Sequence, residues 1–90
     1  MADQSSQSVT YEKPSPGVRL ITINRPEARN AIGPVESRLL FEYLGDFRDD
    51  EEANVLVITG AGTEAFCAGA DLKSVVAMFN PDSELEPLYP

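Results

Sequence analysis

The 90-residue sequence contains no histidine and a single cysteine, Cys67. Without histidine, triads that rely on an imidazole base and most zinc sites are excluded within this chain, and no metal site is expected. One cysteine cannot close an intrachain disulfide. No apolar run approaches the roughly 20 residues that a membrane-spanning helix needs. Positive charge is scarce: 7 Lys and Arg stand against 15 Asp and Glu, for a formal net charge of −8. That balance argues against nonspecific nucleic-acid binding, which needs a basic patch to neutralise phosphates, and against adhesion to anionic membranes. The acid excess gathers at residues 46–52 and 82–86, and its simplest reading is solubility. The opening MADQSSQSV lacks the basic region and apolar stretch of a secretory signal, so a cytoplasmic location is the default expectation.

What is present is an ordinary globular composition, 42% hydrophobic and 24% charged. The length suits one small domain. A chain of this size buries only about 60% of its unfolded surface and is marginal on its own. Residues 1–8 are polar and read as a flexible end. Residues 9–13 alternate weakly, as a short strand would. The KPSPG that follows, residues 13–17, supplies a turn, and VRLITIN at 18–24 is rich in β-branched residues, so the pair predicts a hairpin. Arg25-Pro26 breaks the second strand, residues 27–33 form a loop, and Pro34 suits the first position of a helix. Val35, Leu39, Tyr43, Leu44 and Phe47 then recur at helical spacing, predicting an amphipathic helix to about residue 48. Glu36, Arg38, Glu42, Asp46 and Arg48 fall mostly on its opposite, solvated side. VLVIT at 55–59 is a continuous apolar run, as in a strand covered on both faces. A second helix is expected from Ala70, with Leu72, Val75, Val76 and Phe79 as its stripe and Asn80-Pro81 as its stop. Residues 81–90 read as an acidic tail or a continuation. The order β-β-α-β-α predicts an α/β fold with a right-handed crossover.

The segment richest in chemistry is residues 66–72, FCAGADL. Small residues at 68, 69 and 70 lead into the expected helix, where the first amide N–H groups lack intrahelical partners and a ligand can approach the backbone closely. Such donors can hold an oxygen that gains negative charge. A tight turn with Asp71 as a capping acid is the alternative, and the residues alone leave both open.

Two stretches resemble a known family. AFCAGADLKSV, from Ala65, is similar to the crotonase (enoyl-CoA hydratase/isomerase) signature, and ITINRPEARNAI, at 21–32, resembles the strand-and-loop signature of the same family. They stand in the expected order, separated by a helix and the strand VLVITGAG. The resemblance covers roughly residues 18–76. It implies the N-terminal portion of a ClpP/crotonase-like α/β fold over residues 9–80, and an acyl-CoA or enoyl-CoA thioester as substrate, with no further cofactor. The backbone N–H of Ala70 matches the first of two donors to the thioester oxygen. Asp71, Leu72 and Lys73 continue the segment lining the acyl-CoA, Ala68 matches a backbone position near the adenine, and Arg25 and Ala28 belong to the loop along the coenzyme A. Lys73 and Arg29 are within the pattern for its phosphates, although either can equally be solvated.

The resemblance also implies that the second donor, a glycine, and the acidic pair of the hydratases lie beyond Pro90. The chain is therefore expected to be a fragment of a domain whose family commonly forms trimers or hexamers, or else a non-catalytic remnant or binding module. Glu36, Glu42 and Asp71 are not substitutes for the missing acids: the first two are expected on a solvated face, and Asp71 is expected to cap. Cys67 reads as a buried structural cysteine, since no histidine is present to activate it. Gly60-Ala61-Gly62 has part of a dinucleotide fingerprint, but AFCAGAD follows where a helix should open.

Overall fold

The computed structural model describes residues 7–73. Strand β1 (Val9–Ser15) and strand β2 (Val18–Ile23) form an antiparallel hairpin. A short 3-10 helix (Pro26–Ala28) precedes helix α1 (Pro34–Asp49), and strand β3 (Val55–Gly60) returns parallel to β2. The sheet order is β1-β2-β3. The expected β-β-α-β succession is therefore present, and the element bounds shift by one or two residues. The two prolines do not confine the turn to 13–17. β1 continues through Pro14 to Ser15, with a register shift between Glu12 and Ser15, and Gly17 turns the chain at a φ of 77°. Pro14 is accommodated at this irregularity, where a ladder bond is dispensable.

Alternation along the strands places Val9, Tyr11, Arg19, Ile21 and Ile23 on one face. Val9 pairs with Ile23 and Tyr11 with Ile21. Val9, Ile21 and Ile23 are the buried apolar core. Helix α1 covers this face through Tyr43, whose ring stacks on Tyr11 at 5.4 Å between centroids and 11° between planes. The Tyr43 hydroxyl donates to Gln7 Oε1 at 3.0 Å, while the buried Tyr11 hydroxyl has no hydrogen-bond partner among the described residues. Burial raises the pKa of both phenols.

Two expectations need correction. The run at 55–59 was expected to be covered on both faces, yet Val55, Val57 and Ile58 stay exposed among the described residues. β3 is an outer strand of this three-stranded sheet, and α1 packs over β1 and β2. The expected second helix does not begin at Ala70. Ala70 forms an isolated parallel bridge with Ile32, and helical backbone starts at residue 72. The rest of that helix, with Val75, Val76, Phe79 and the stop at Asn80-Pro81, lies outside the described residues, as do the tail 81–90 and most of the end at 1–8.

Arg19 is the one charged residue on the covered face of β2, and it is 3% exposed. Its Nε donates to Asp50 Oδ2 at 2.8 Å and its Nη1 to the Val18 carbonyl at 2.9 Å. This pair ties the strand to the end of α1. The Arg19 guanidinium, followed by the Glu52 N–H, holds the Asp50 carboxyl below its ordinary value of 3.8. A carboxyl depressed in the folded state contributes stability that is present above its ordinary pKa and lost as pH falls through the folded value. Asp50→Asn is thus expected to lower stability at neutral pH and to flatten the loss of stability on acidification. Urea denaturation at about pH 7 and about pH 3 measures both. Parallel pH dependence in the two proteins would contradict the assignment.

Candidate functional site

Three loops converge at one end of the sheet: residues 24–33 after β2, residues 61–65 after β3, and residues 66–71 beyond. Asn30 joins the first two. It is 1% exposed, with a positive φ of 59°. Its Oδ1 accepts the Arg25 N–H at 2.9 Å, and its Nδ2 donates to the carbonyls of Ala61 and Ala65, both at 2.9 Å. Its own N–H donates to the Arg25 carbonyl at 2.8 Å. Asparagine is one of the few residues that accept a left-handed backbone without glycine's flexibility. Gly60 has to be glycine because a Cβ there would collide with the Phe66 carbonyl and come within 2.6 Å of Asn30 Nδ2.

The third loop is held by backbone bonds to the first. Ala68 N–H donates to the Arg29 carbonyl at 3.0 Å, Ile32 N–H to the Gly69 carbonyl at 2.7 Å, and Asp71 N–H to the Ile32 carbonyl at 2.9 Å. Gly69 N–H faces Cys67 Sγ at 3.4 Å. Of the four successive N–H groups from Ala68 to Asp71, that of Ala70 alone has no acceptor among the described residues. The pattern has a geometric cause. In a parallel bridge both bonds run from Ile32 to the neighbours of Ala70, so the N–H of Ala70 points the other way. Small side chains at 68, 69 and 70 leave that side open.

Ala70 lines a cleft of about 670 Å³. Seven of the eight residues singled out for the acyl-CoA line it: Arg25 and Ala28 from the first loop; Ala68, Ala70 and Asp71 from the third; and Leu72 and Lys73 where helical backbone begins. Glu27 and Ala31 complete the lining. Leu72 is 75% exposed at the rim. Arg29 does not line this cleft. It borders a neighbouring depression of about 430 Å³ and pairs with Glu64 at 2.8 Å, with both side chains largely in solvent.

Arg25 is turned inward. Its Nη1 donates to the Ala31 carbonyl at 2.8 Å and lies 3.3 Å from Glu36 Oε1 and 3.2 Å from Asp71 Oδ2. Glu36 is therefore not on a solvated face as expected: it is 7% exposed. Its Oε1 also accepts the Gly33 N–H at 2.9 Å, closing the start of α1. Helical periodicity assigns Glu36 to the polar side, but position three of the helix lets it reach back to the loop. Asp71 Oδ1 accepts the Lys73 N–H at 3.1 Å, a capping contact for the turn that follows. Cys67 is half-buried rather than buried, and no helix opens between residues 61 and 70, as a dinucleotide fold would require. Asn30 was not singled out from the sequence. An asparagine seven residues past β2 and four past Pro26 is the signal that marks it.

Asn30→Gly keeps the backbone conformation and removes the carboxamide, leaving two carbonyls and one N–H without their partner. It is expected to cost about 1–3 kcal/mol. Asn30→Ala adds a left-handed non-glycine residue and is expected to cost about 1 kcal/mol more. Urea denaturation of both variants measures these terms, and wild-type stability in Asn30→Gly would contradict the role of the side chain.

The description "Enoyl-CoA hydratase/isomerase" belongs to the family that matches residues 13–87. The chain is 47% identical over 60 residues to the mouse enoyl-CoA hydratase domain-containing protein 2, mitochondrial, covering 67% of this chain and 20% of that protein. Among solved structures, EchA1_1 from Mycobacterium paratuberculosis is 46% identical with a TM-score of 0.71, covering 76% of this chain and 26% of that one. Carnitinyl-CoA hydratase from Mycobacterium avium is 44% identical with a TM-score of 0.74, covering 78% and 26%. The chain thus spans about a fifth to a quarter of the length of these relatives. Its sheet and helix are part of the crotonase α/β fold, and the chain belongs to the enoyl-CoA hydratase/isomerase family.

Proposed function

We propose that this chain binds the thioester end of an acyl-CoA or enoyl-CoA and polarises its C=O through the backbone N–H of Ala70. The observation that carries the reading is the geometry of the bridge at Ile32. It engages the Gly69 carbonyl and the Asp71 N–H on either side of Ala70 and leaves Ala70's own N–H without an acceptor among the described residues, at a residue that lines the cleft with Arg25, Ala28, Asp71 and Lys73.

The chemistry follows from the donor. A hydrogen bond to the thioester oxygen draws electron density from the carbonyl, acidifies the α-carbon and makes the β-carbon of an enoyl chain electrophilic. Charge collects on the oxygen as an enolate-like transition state forms, and a fixed donor stabilises it without reorganisation. Hydration or isomerisation would need a second donor and a general acid and base in addition. The family resemblance assigns those to later segments of the domain, so turnover belongs to the completed domain.

A second reading is binding and assembly without turnover. The exposed Val55, Val57 and Ile58 on β3 favour it, because apolar side chains on an outer strand invite a covering surface.

Crotonyl-CoA labelled with carbon-13 at the carbonyl separates these readings. The carbonyl resonance is expected to move downfield on binding to the chain. Ala70→Pro, which deletes the N–H, is expected to abolish that displacement and to weaken binding about fivefold, or about 1 kcal/mol for one hydrogen bond. In a completed catalytic domain the same change is expected to cost about 2.7–4 kcal/mol of transition-state stabilisation. Circular dichroism controls for folding. An unchanged displacement in Ala70→Pro would remove Ala70 from the reaction, and binding of crotonyl-CoA with no displacement of its carbonyl resonance would favour the second reading.

A further inference from the structure

We infer that Arg25 is a positioning residue that aligns the Ala70 N–H through Asp71, an inference that rests on the reading of Ala70 as the thioester donor. The family resemblance implies that Arg25 lies along the coenzyme A. The geometry assigns its Nη1 a different task. That nitrogen carries two hydrogens and faces three acceptors, the Ala31 carbonyl, Glu36 Oε1 and Asp71 Oδ2. Its capacity is committed inside the protein.

The backbone of Arg25 is also fixed. Its N–H donates to Asn30 Oδ1, and its carbonyl accepts from the N–H groups of Ala28 and Asn30. The guanidinium therefore projects from a rigid base. It joins two places that are far apart in sequence: the first turn of α1, through Glu36, and the residue directly after Ala70, through Asp71. The side chains of Arg25, Glu36 and Asp71 are 22%, 9% and 18% exposed. They are shielded far more than the surface pair Arg48–Asp49, at 76% and 70%, and attraction between shielded charges is screened less by water and salt.

Two carboxylates contact the same nitrogen of one cation. Without the cation, Glu36 and Asp71 would be half-shielded like charges facing each other, and repulsion would push residue 71 away from α1. Asp71 is bonded through its N–H to Ile32, so this displacement would open the bridge that aims the Ala70 N–H. Arg25 thus matters for the direction of the donor, apart from any contact of Arg25 with the ligand.

The test uses the same labelled crotonyl-CoA and reads two quantities separately: affinity, and the carbonyl displacement at saturation. Arg25→Gln is expected to lose more than half of the wild-type displacement. Arg25→Gln combined with Asp71→Asn removes the facing carboxylate and is expected to regain part of it, a non-additive pair. Arg25→Lys, which keeps the charge but not the fork, is expected to fall between wild type and Arg25→Gln. If Arg25→Gln does not fold, Asp71→Asn decides alone. It retains a capping oxygen for Lys73, and a loss of displacement at native circular dichroism is expected. Full displacement in Arg25→Gln or in folded Asp71→Asn would overturn the positioning role alone, even where affinity falls. A double variant no better than Arg25→Gln would do the same. Absence of any displacement with the wild-type chain would instead overturn the reading of Ala70, and this inference with it.

Discussion

The cleft exists because the Asn30 carboxamide binds two loops that leave neighbouring parallel strands. β2 and β3 run in the same direction, so the chain leaving each emerges at the same end of the sheet. Nothing in strand pairing itself joins those exits. Asn30 does so with one acceptor and two donors, all used, in a place that water hardly reaches. A buried carboxamide with those partners missing would be costly, so the loops are held in one arrangement rather than several. The close approach at Gly60 is part of the same constraint: the strand end and the Phe66 carbonyl meet where no Cβ fits. With the second loop fixed, residues 66–71 are directed back along the first, where Ile32 and Arg29 take up their backbone bonds.

Charge is organised on the same plan. The chain has more than twice as many acids as bases, yet three of its arginines link separate segments. Arg19 joins β2 to the end of α1, Arg25 joins the first loop to α1 and Asp71, and Arg29 joins that loop to Glu64. The first two are shielded and directional. The third is in solvent, where such a pair contributes little. A net charge of −8 opposes, at long range, the approach of a ligand that carries phosphates. Recognition of a coenzyme A thioester would therefore rest on short-range contacts: a backbone N–H at the carbonyl, small side chains that allow close approach, and Lys73 at the rim.

Much of this was legible in the sequence, for identifiable reasons. β-Branched alternation marked β2, the proline at 34 marked the start of α1, and the apolar run marked β3. The two family-like stretches picked out seven residues that the fold gathers along one cleft. Periodicity failed where a side chain served a loop instead of a face. Glu36 falls on the polar side of the helix wheel, but it is buried because Gly33 and Arg25 both need its carboxylate. Asn30 has no periodicity to reveal it, since its partners are carbonyls more than thirty residues away. The start of the second helix was misplaced because a bridge to Ile32 is a non-local contact, and local helix signals cannot report it.

That bridge also changes the physical account of the donor. A helix start offers several unpaired N–H groups together, each free to find water, and none is singled out. A parallel bridge of one residue pair discriminates between them. It engages the N–H after the bridged residue and the carbonyl before it, and it leaves the bridged residue's own N–H directed to the opposite side. Ala70 is also among the residues that line the cleft. The small side chain there lets a ligand approach the backbone closely. That the Ala70 N–H has no acceptor among the described residues is thus a consequence of pairing with Ile32, and its orientation is only as firm as the loop holding Ile32. Because that loop is fixed through Asn30, Arg25 and Glu36, residues with polar or charged side chains determine the direction of a backbone group on a residue that has neither.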